Sequence, residues 1–277
     1  MDILDWVAVG AVLILVGRVL EKEIFFYEGA HLGPRVQAWL YDRWSKKYDE
    51  GKSESQLRDD EMLAQPIIDA TQKVPEPFIL DFATGTGRLS YALLNRPDFT
   101  GSIVALDLSQ GMLAQAASKL TGHLDRVEFF RHQSLPLPFP DSSFDIVCAL
   151  EVLELFPTME DALTEFTRVL RDGGILLTTR GTEASGRKAK IKSALEFAHL
   201  LTQHGFETME ISPWWKSFDR VIAVKNGSSN PVENHKLQEV LQCPSCGQVQ
   251  WERKSNSIHC GNCEKEFFVT ENEIVLG

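Results

Sequence analysis

The run Asp81-Phe82-Ala83-Thr84-Gly85-Thr86-Gly87 sets two glycines behind a carboxylate, and a second carboxylate, Asp107, stands twenty residues past Gly87. Glycine is needed where the backbone must pass close to a ligand or adopt angles that a Cβ forbids. An acid at the end of the next strand is placed to accept hydrogen bonds from two ribose hydroxyls. Together these residues outline a strand–turn–helix site for a dinucleotide or a nucleoside. A nicotinamide site reads G-x-G-x-x-G, and here the third position is Ser90. The turn alone leaves the cofactor open.

A second constellation is Cys243-Pro244-Ser245-Cys246, thirteen intervening residues, then Cys260-Gly261-Asn262-Cys263. Each pair can bend into a tight turn that brings two thiolates onto one ion, and four thiolates make a tetrahedral site suited to Zn²⁺. No coordination position is left open, so the expected zinc is structural. Some forty residues cannot build a stable core alone. Metal binding worth about 10–16 kcal/mol in small finger peptides supplies what the core lacks. The fifth cysteine, Cys148, lies within an expected strand and reads as a small buried hydrophobe.

The elements that must position these groups alternate between strand and helix. Strands are expected over Phe78–Phe82, Ser102–Leu108, Val127–Gln133, Phe144–Leu150 and Gly174–Arg180. Apolar residues at helical spacing mark Arg88–Leu94, Gln110–Leu120, Asp161–Leu170 and Ser193–His204. Such alternation predicts a parallel sheet covered on both faces. Glu207–Ile211 and Phe218–Lys225 form a closing strand pair joined through Pro213-Trp214-Trp215. The expected domains are a hydrophobic helix (1–27), a helical lid (28–74), the α/β domain (75–226), a linker (227–236) and the cysteine module (237–277). The basic loop with Arg187, Lys188, Lys190 and Lys192 follows the fifth strand and reads as a helix start or a headgroup-binding run.

A net charge of −11 argues against strong binding to nucleic-acid backbones, which needs clustered Lys and Arg. Residues 232–277 carry seven acids against four Lys and Arg, which disfavours RNA there too. From Trp6 to Gly17 no charged residue occurs, and the apolar run extends over Ile3–Leu20 if Asp5 and Arg18 are admitted. Eighteen helical residues rise about 27 Å, close to the ~30 Å hydrocarbon core. The run is apolar all round, so a single-pass membrane anchor is expected. Only acids precede it while Arg18 and Lys22 follow, which puts the catalytic domain in the cytoplasm. An acidic start does not suit a secretory signal.

Four ordered motifs resemble the class I methyltransferases of the ubiquinone/menaquinone-biosynthesis type across residues 41–225. They are Ile79–Arg88, Ala105–Leu113, Leu137–Asp145 and Arg168–Gly174. The resemblance implies a seven-stranded Rossmann-like sheet whose last strand is antiparallel, with S-adenosylmethionine as cofactor. It puts Asp81, Gly85 and Gly87, with Ala83 and Thr84 in the same turn, at the cofactor's amino-acid end. It puts Asp107 on the ribose, Leu108 and Met112 on the adenine, and Gln133 or Ser134 at the adenine edge. The family commonly has Gly in place of Ala83 and Asp in place of Gln133, whose carbonyl oxygen can accept the same hydrogen bond. Glu151 is the best candidate to contact cofactor or acceptor. Glu154, where some relatives begin a metal-binding Glu-His pair, is followed by Leu155 and reads as a solvated helix residue. No catalytic base is assigned.

The segment Leu40–Asp49 resembles the family's N-terminal lid, in which Tyr48 would cover the cofactor; a plain amphipathic helix is the other reading of it. The cysteine module resembles the zinc-ribbon methyltransferase activators, here fused in cis. The expected activity is methyl transfer to a small-molecule or lipid, quinone-like acceptor. Two other readings stand beside it: a protein or RNA acceptor recruited by the ribbon, and a cofactor-binding scaffold without turnover.

Overall fold

A computed structural model describes residues 3–185 and 193–277. The N-terminal part holds α1 (Ile3–Phe25), α2 (Pro34–Trp44), α3 (Ser53–Gln56) and α4 (Gln65–Ala70), separated by single helical turns. Then come β1 (Phe78–Phe82), α5 (Arg88–Leu94), β2 (Ser102–Asp107), α6 (Gln110–Lys119), β3 (Val127–Arg131), β4 (Phe144–Ala149), α7 (Met159–Val169) and β5 (Leu170–Gly181). After them follow α8 (Ala194–Gln203), β6 (Phe206–Trp215) and β7 (Phe218–Lys225). The cysteine segment contributes α9 (Leu237–Val240), β8 (Trp251–Lys254), β9 (Ser257–Cys260), β10 (Glu266–Val269) and β11 (Ile274–Leu276).

The strands form one sheet in the order β6-β7-β5-β4-β1-β2-β3-β11-β10-β9-β8. Pairings from β3 through β5 are parallel, and β7 runs antiparallel to both β5 and β6. Strands β1, β2 and β4 are buried at every position, as expected for parallel strands covered by helices on both faces. Cys148 lies within β4 with no exposure, and burial pushes its thiol well above the usual range, so it is the expected inert hydrophobe. The tight join between β6 and β7 is not at Pro213-Trp214-Trp215, which belong to β6. Trp214 is buried under the Arg88 guanidinium, 4.7 Å from its ring centroid.

The cysteine segment extends this sheet. Strand β11 pairs in parallel with β3, Val275 opposite Phe130, so the ribbon closes an edge that β3 would otherwise leave open. Residues 227–236 are fastened along the way. The buried Asp145 carboxylate accepts from the backbone N–H groups of Phe78, Val232 and Glu233 and from Arg171 Nε at 2.6–3.0 Å.

Helix α1 corrects the expected span. Among the described residues, no helix is long and apolar enough to cross a membrane. Asp5 and the cluster Arg18, Glu21, Lys22, Glu23 interrupt it. The uncharged stretch between them rises about 18 Å, well short of the ~30 Å core. The helix still exposes Trp6, Val7, Leu13, Ile14, Leu15 and Phe25. The basic residues Arg187, Lys188, Lys190 and Lys192 lie outside the described residues.

Candidate cofactor and acceptor site

At the C-terminal end of β1 the Asp81 carboxylate is buried and accepts from Thr84 Oγ1 (2.6 Å) and Ser90 Oγ (2.7 Å). Burial raises its pKa, against the pull of these hydroxyls. The turn it anchors is left-handed at three positions: Ala83 (φ 55°), Gly85 (φ 58°) and Gly87 (φ 76°). A Cβ on Gly85 would meet nothing within 4 Å, so the backbone there is bare and faces open space. A Cβ on Gly87 would lie 3.0 Å from Ala116 Cβ, because the turn packs on α6. Ala83 holds a left-handed φ that costs an L-residue about 1–2 kcal/mol, the physical reason glycine suits this position.

The end of β2 supplies Asp107. Its Oδ2 accepts the Gly85 N–H at 2.9 Å and its Oδ1 accepts the Ser109 N–H at 2.8 Å. Burial pushes its carboxyl up to about 6, against those two N–H groups and with the Asp81 carboxylate adding to the rise. Ser109 then caps α6 by accepting the Met112 N–H at 3.0 Å.

These residues open onto a cavity of about 650 Å³. Ala83, Gly85, Asp107, Leu108, Met112, Gln133, Ser134 and Glu151 all line it. Gln133 donates its Nε2 to the Leu108 carbonyl at 3.3 Å, which leaves its Oε1 as an acceptor. Asp81 and Thr84 instead line a small pocket of about 50 Å³ beside it, which Ala83, Gly85 and Glu151 share. Gly87 lines neither and acts through packing. The fit to a nucleoside sulfonium is consistent: a bare turn at Gly85, a carboxylate at ribose reach and an apolar wall.

Several contacts of the site join residues far apart in the sequence, which no local signal announces. Glu151 has φ 53°, donates its N–H to Thr179 Oγ1 (2.7 Å), and its carboxylate pairs with Lys52 and with Arg88 Nη1 (3.4 Å). Arg88 in turn grips Asp59 through two bonds of 2.7 and 2.5 Å. Asp42 accepts from Ser109 Oγ (2.6 Å) and the Gly111 N–H (2.7 Å), which seats α2 on the start of α6. Asp49 accepts from Thr86 Oγ1 at 2.6 Å and pairs with Lys119 at 2.7 Å. The N-terminal segment is thus seated against the site, and both Tyr41 and Tyr48 line the cavity. Burial raises both phenols far above their usual range, so both stay protonated. Glu154 is not a solvated helix residue; it is buried at 5 % exposure, and the cavity-facing neighbour is Leu155.

The family model of the methyltransferase domain matches residues 79–174, which span the turn, Asp107, Gln133 and Glu151. Over those residues the chain matches a methyltransferase domain. A demethylmenaquinone methyltransferase from Clavibacter sepedonicus is 35% identical over 135 residues, 49% of this chain and 54% of the relative. A ubiquinone/menaquinone biosynthesis C-methyltransferase from Hahella chejuensis is 32% identical over 142 residues, 50% of this chain and 57% of the relative. The chain spans about half the length of the curated relatives it matches. In three dimensions this chain is similar to a SAM-dependent methyltransferase from Aquifex aeolicus (TM-score 0.52, 19% identity, 66% of this chain and 98% of that one). It is also similar to a chain in the complex of the Haloferax volcanii Trm112 methyltransferase activator with a methyltransferase (TM-score 0.51, 17% identity, 68% and 98%). At these identities the likeness concerns the fold.

The cysteine cluster lies apart, in the ribbon. The sulfurs of Cys243, Cys246, Cys260 and Cys263 all lie within 4.8 Å of one another. Sγ separations of 3.5 Å (Cys243–Cys263) and 3.6 Å (Cys246–Cys260) are too long for disulfides, which need about 2.05 Å. The Gln248 N–H and the Asn262 side chain pull the Cys246 thiol down to about 6. Four convergent sulfurs of this kind suit a structural zinc, which these four residues would hold.

Proposed function

We propose that this methyltransferase transfers a methyl group from S-adenosylmethionine to a small apolar acceptor of the quinol type. The carrying observation is the continuity of the cavity: one end is the Gly85–Asp107 cofactor cradle, and the remainder includes Leu135, Pro136, Leu155, Phe156 and Pro157. The two relatives named for quinone biosynthesis support the acceptor class. The sulfonium supplies an activated methyl group for in-line displacement. What the chain contributes is alignment and exclusion of water: Asp107 and Gln133 fix the nucleoside, and the seated lid covers the cavity with Tyr41 and Tyr48. Neither phenol ionises near neutral pH, so they serve as walls and hydrogen-bond donors rather than bases.

Incubating the full chain with labelled cofactor and a membrane lipid extract tests this. One labelled quinol-type product is expected. Saturable cofactor binding with no labelled lipid would remove the acceptor class. In the ribbon, β11 is committed to β3, which supports a bracing role fused in cis over recruitment of a protein or RNA. The same reading takes the four-cysteine cluster as a zinc site. We further infer that the exposed apolar run of α1 holds the chain at the cytoplasmic face of a membrane, where apolar acceptors partition. Flotation with vesicles, lost on deleting residues 1–27, checks that location.

A further inference from the structure

Gln37 and Tyr41 stand one helical turn apart on α2, and both line the large cavity. The Tyr41 hydroxyl is committed to Glu28. Gln37 differs. Its Nε2 is buried and, among the described residues, has no hydrogen-bond partner. Buried amide donors are rarely left unpaired in folded proteins, because each carries a desolvation cost that nothing repays. Three other polar side chains along the cavity are already engaged. Glu165 accepts the Leu137 N–H and pairs with Arg168, Asp161 accepts from Thr158, and Gln133 donates to Leu108. No other buried, unpartnered side-chain atom among the described residues belongs to a residue lining this cavity.

We propose that Gln37 is the specificity-determining residue for the acceptor, its amide donating to a ring oxygen of a flat apolar molecule. This rests on the quinol-type reading above and deepens it. An apolar wall selects the body of such a molecule but discriminates weakly between similar rings; a donor that must be satisfied rejects a ring lacking the oxygen. Gln37 is thereby a binding residue on the lid, remote in sequence from the methyltransferase motifs, and it ties lid seating to the presence of an oxygenated acceptor.

The test is calorimetric titration of the full chain, saturated with S-adenosylhomocysteine, with 1-naphthol and with naphthalene, which differ by one oxygen. The wild type is expected to favour 1-naphthol by about tenfold. Gln37→Met, similar in length and without the amide, is expected to bind both ligands alike, with naphthalene and cofactor affinity unchanged. Those two unchanged affinities show that the variant is folded. An equal preference for 1-naphthol in both proteins, or weakened cofactor binding in the variant, would overturn the assignment. If the wild type binds the cofactor product but neither ring, the quinol-type reading falls, and the role of Gln37 with it.

Discussion

The backbone N–H of Gly85 donates to Asp107 Oδ2 at 2.9 Å, so the turn after β1 and the end of β2 are locked to each other before any ligand arrives. The carboxylate that holds the cradle together is also the group placed to take the ribose. Asp107 is raised to about 6 by burial, and binding two hydroxyls requires its ionised form. Cofactor affinity should therefore be flat above pH 7 and fall about tenfold per unit below pH 6. The sign for stability is opposite. The folded state holds this proton more tightly than the unfolded chain, so the ligand-free protein loses stability as pH rises from about 4 to 6 and keeps that loss above it. Asp107→Asn should abolish the low-pH fall in affinity while weakening binding at about pH 7.5. Calorimetry across about pH 5–8 decides it, and a pH-independent affinity in the wild type would refute the role.

Gly85 and Gly87 should fail differently. At Gly85 an added Cβ meets only open space, so Gly85→Ala carries the left-handed strain and intrudes on whatever the bare turn faces. At Gly87 the Cβ also presses on Ala116 at 3.0 Å. Gly87→Ala is expected to cost about 1–3 kcal/mol of stability, and Gly85→Ala about 1–2 kcal/mol with a larger loss of cofactor affinity. Urea denaturation beside cofactor titration separates the two. Equal effects on both readouts would mean that neither glycine faces the ligand.

What could be read in advance was local. Strand β1, the turn, the helix behind it and Asp107 lie within thirty residues, and their chemistry is written in residue type and spacing. Cysteine spacing announced the four-sulfur cluster for the same reason. What could not be read joins distant segments: Asp42 to Gly111, Lys52 to Glu151, and β11 to β3. A strand's periodicity says which face is buried and nothing about which neighbour it pairs with. Glu154 was misread because its burial depends on the turn after β4, not on any pattern around it.

The linker is a strap rather than a tether, and Asp145 is its buckle. Its carboxylate is 1 % exposed and satisfies three backbone N–H groups and Arg171. Asp145→Ala takes the carboxylate from the Arg171 Nε–H and from three backbone donors, a change expected to cost about 3–5 kcal/mol. Limited proteolysis should then cut first within residues 226–236. Asp145→Asn, which keeps the shape but not the charge, should fall between. A wild-type melting profile in either variant would show that the strap is held elsewhere.

Removing the metal should act at the sheet edge. Trp251 stacks on Phe267 with ring centroids 5.0 Å apart, and Phe267 lies 6.2 Å from Phe130 of β3. Without a cation nothing draws the four sulfurs together, and a segment this small has little core of its own to hold the fold. Stripping zinc with a strong chelator is therefore expected to melt the ribbon first, release β11 and expose the β3 edge. Trp251 emission should shift to the red at a lower temperature than the loss of β-sheet signal in the remainder. The loop that leaves β3 carries His132, Gln133 and Ser134 into the cavity, so the same treatment should weaken cofactor binding. Cys260→Ser should reproduce both effects without chelator. One zinc per chain by elemental analysis is the accompanying expectation. A ribbon that stays folded without metal would show that the sheet edge, not the ion, holds it in place.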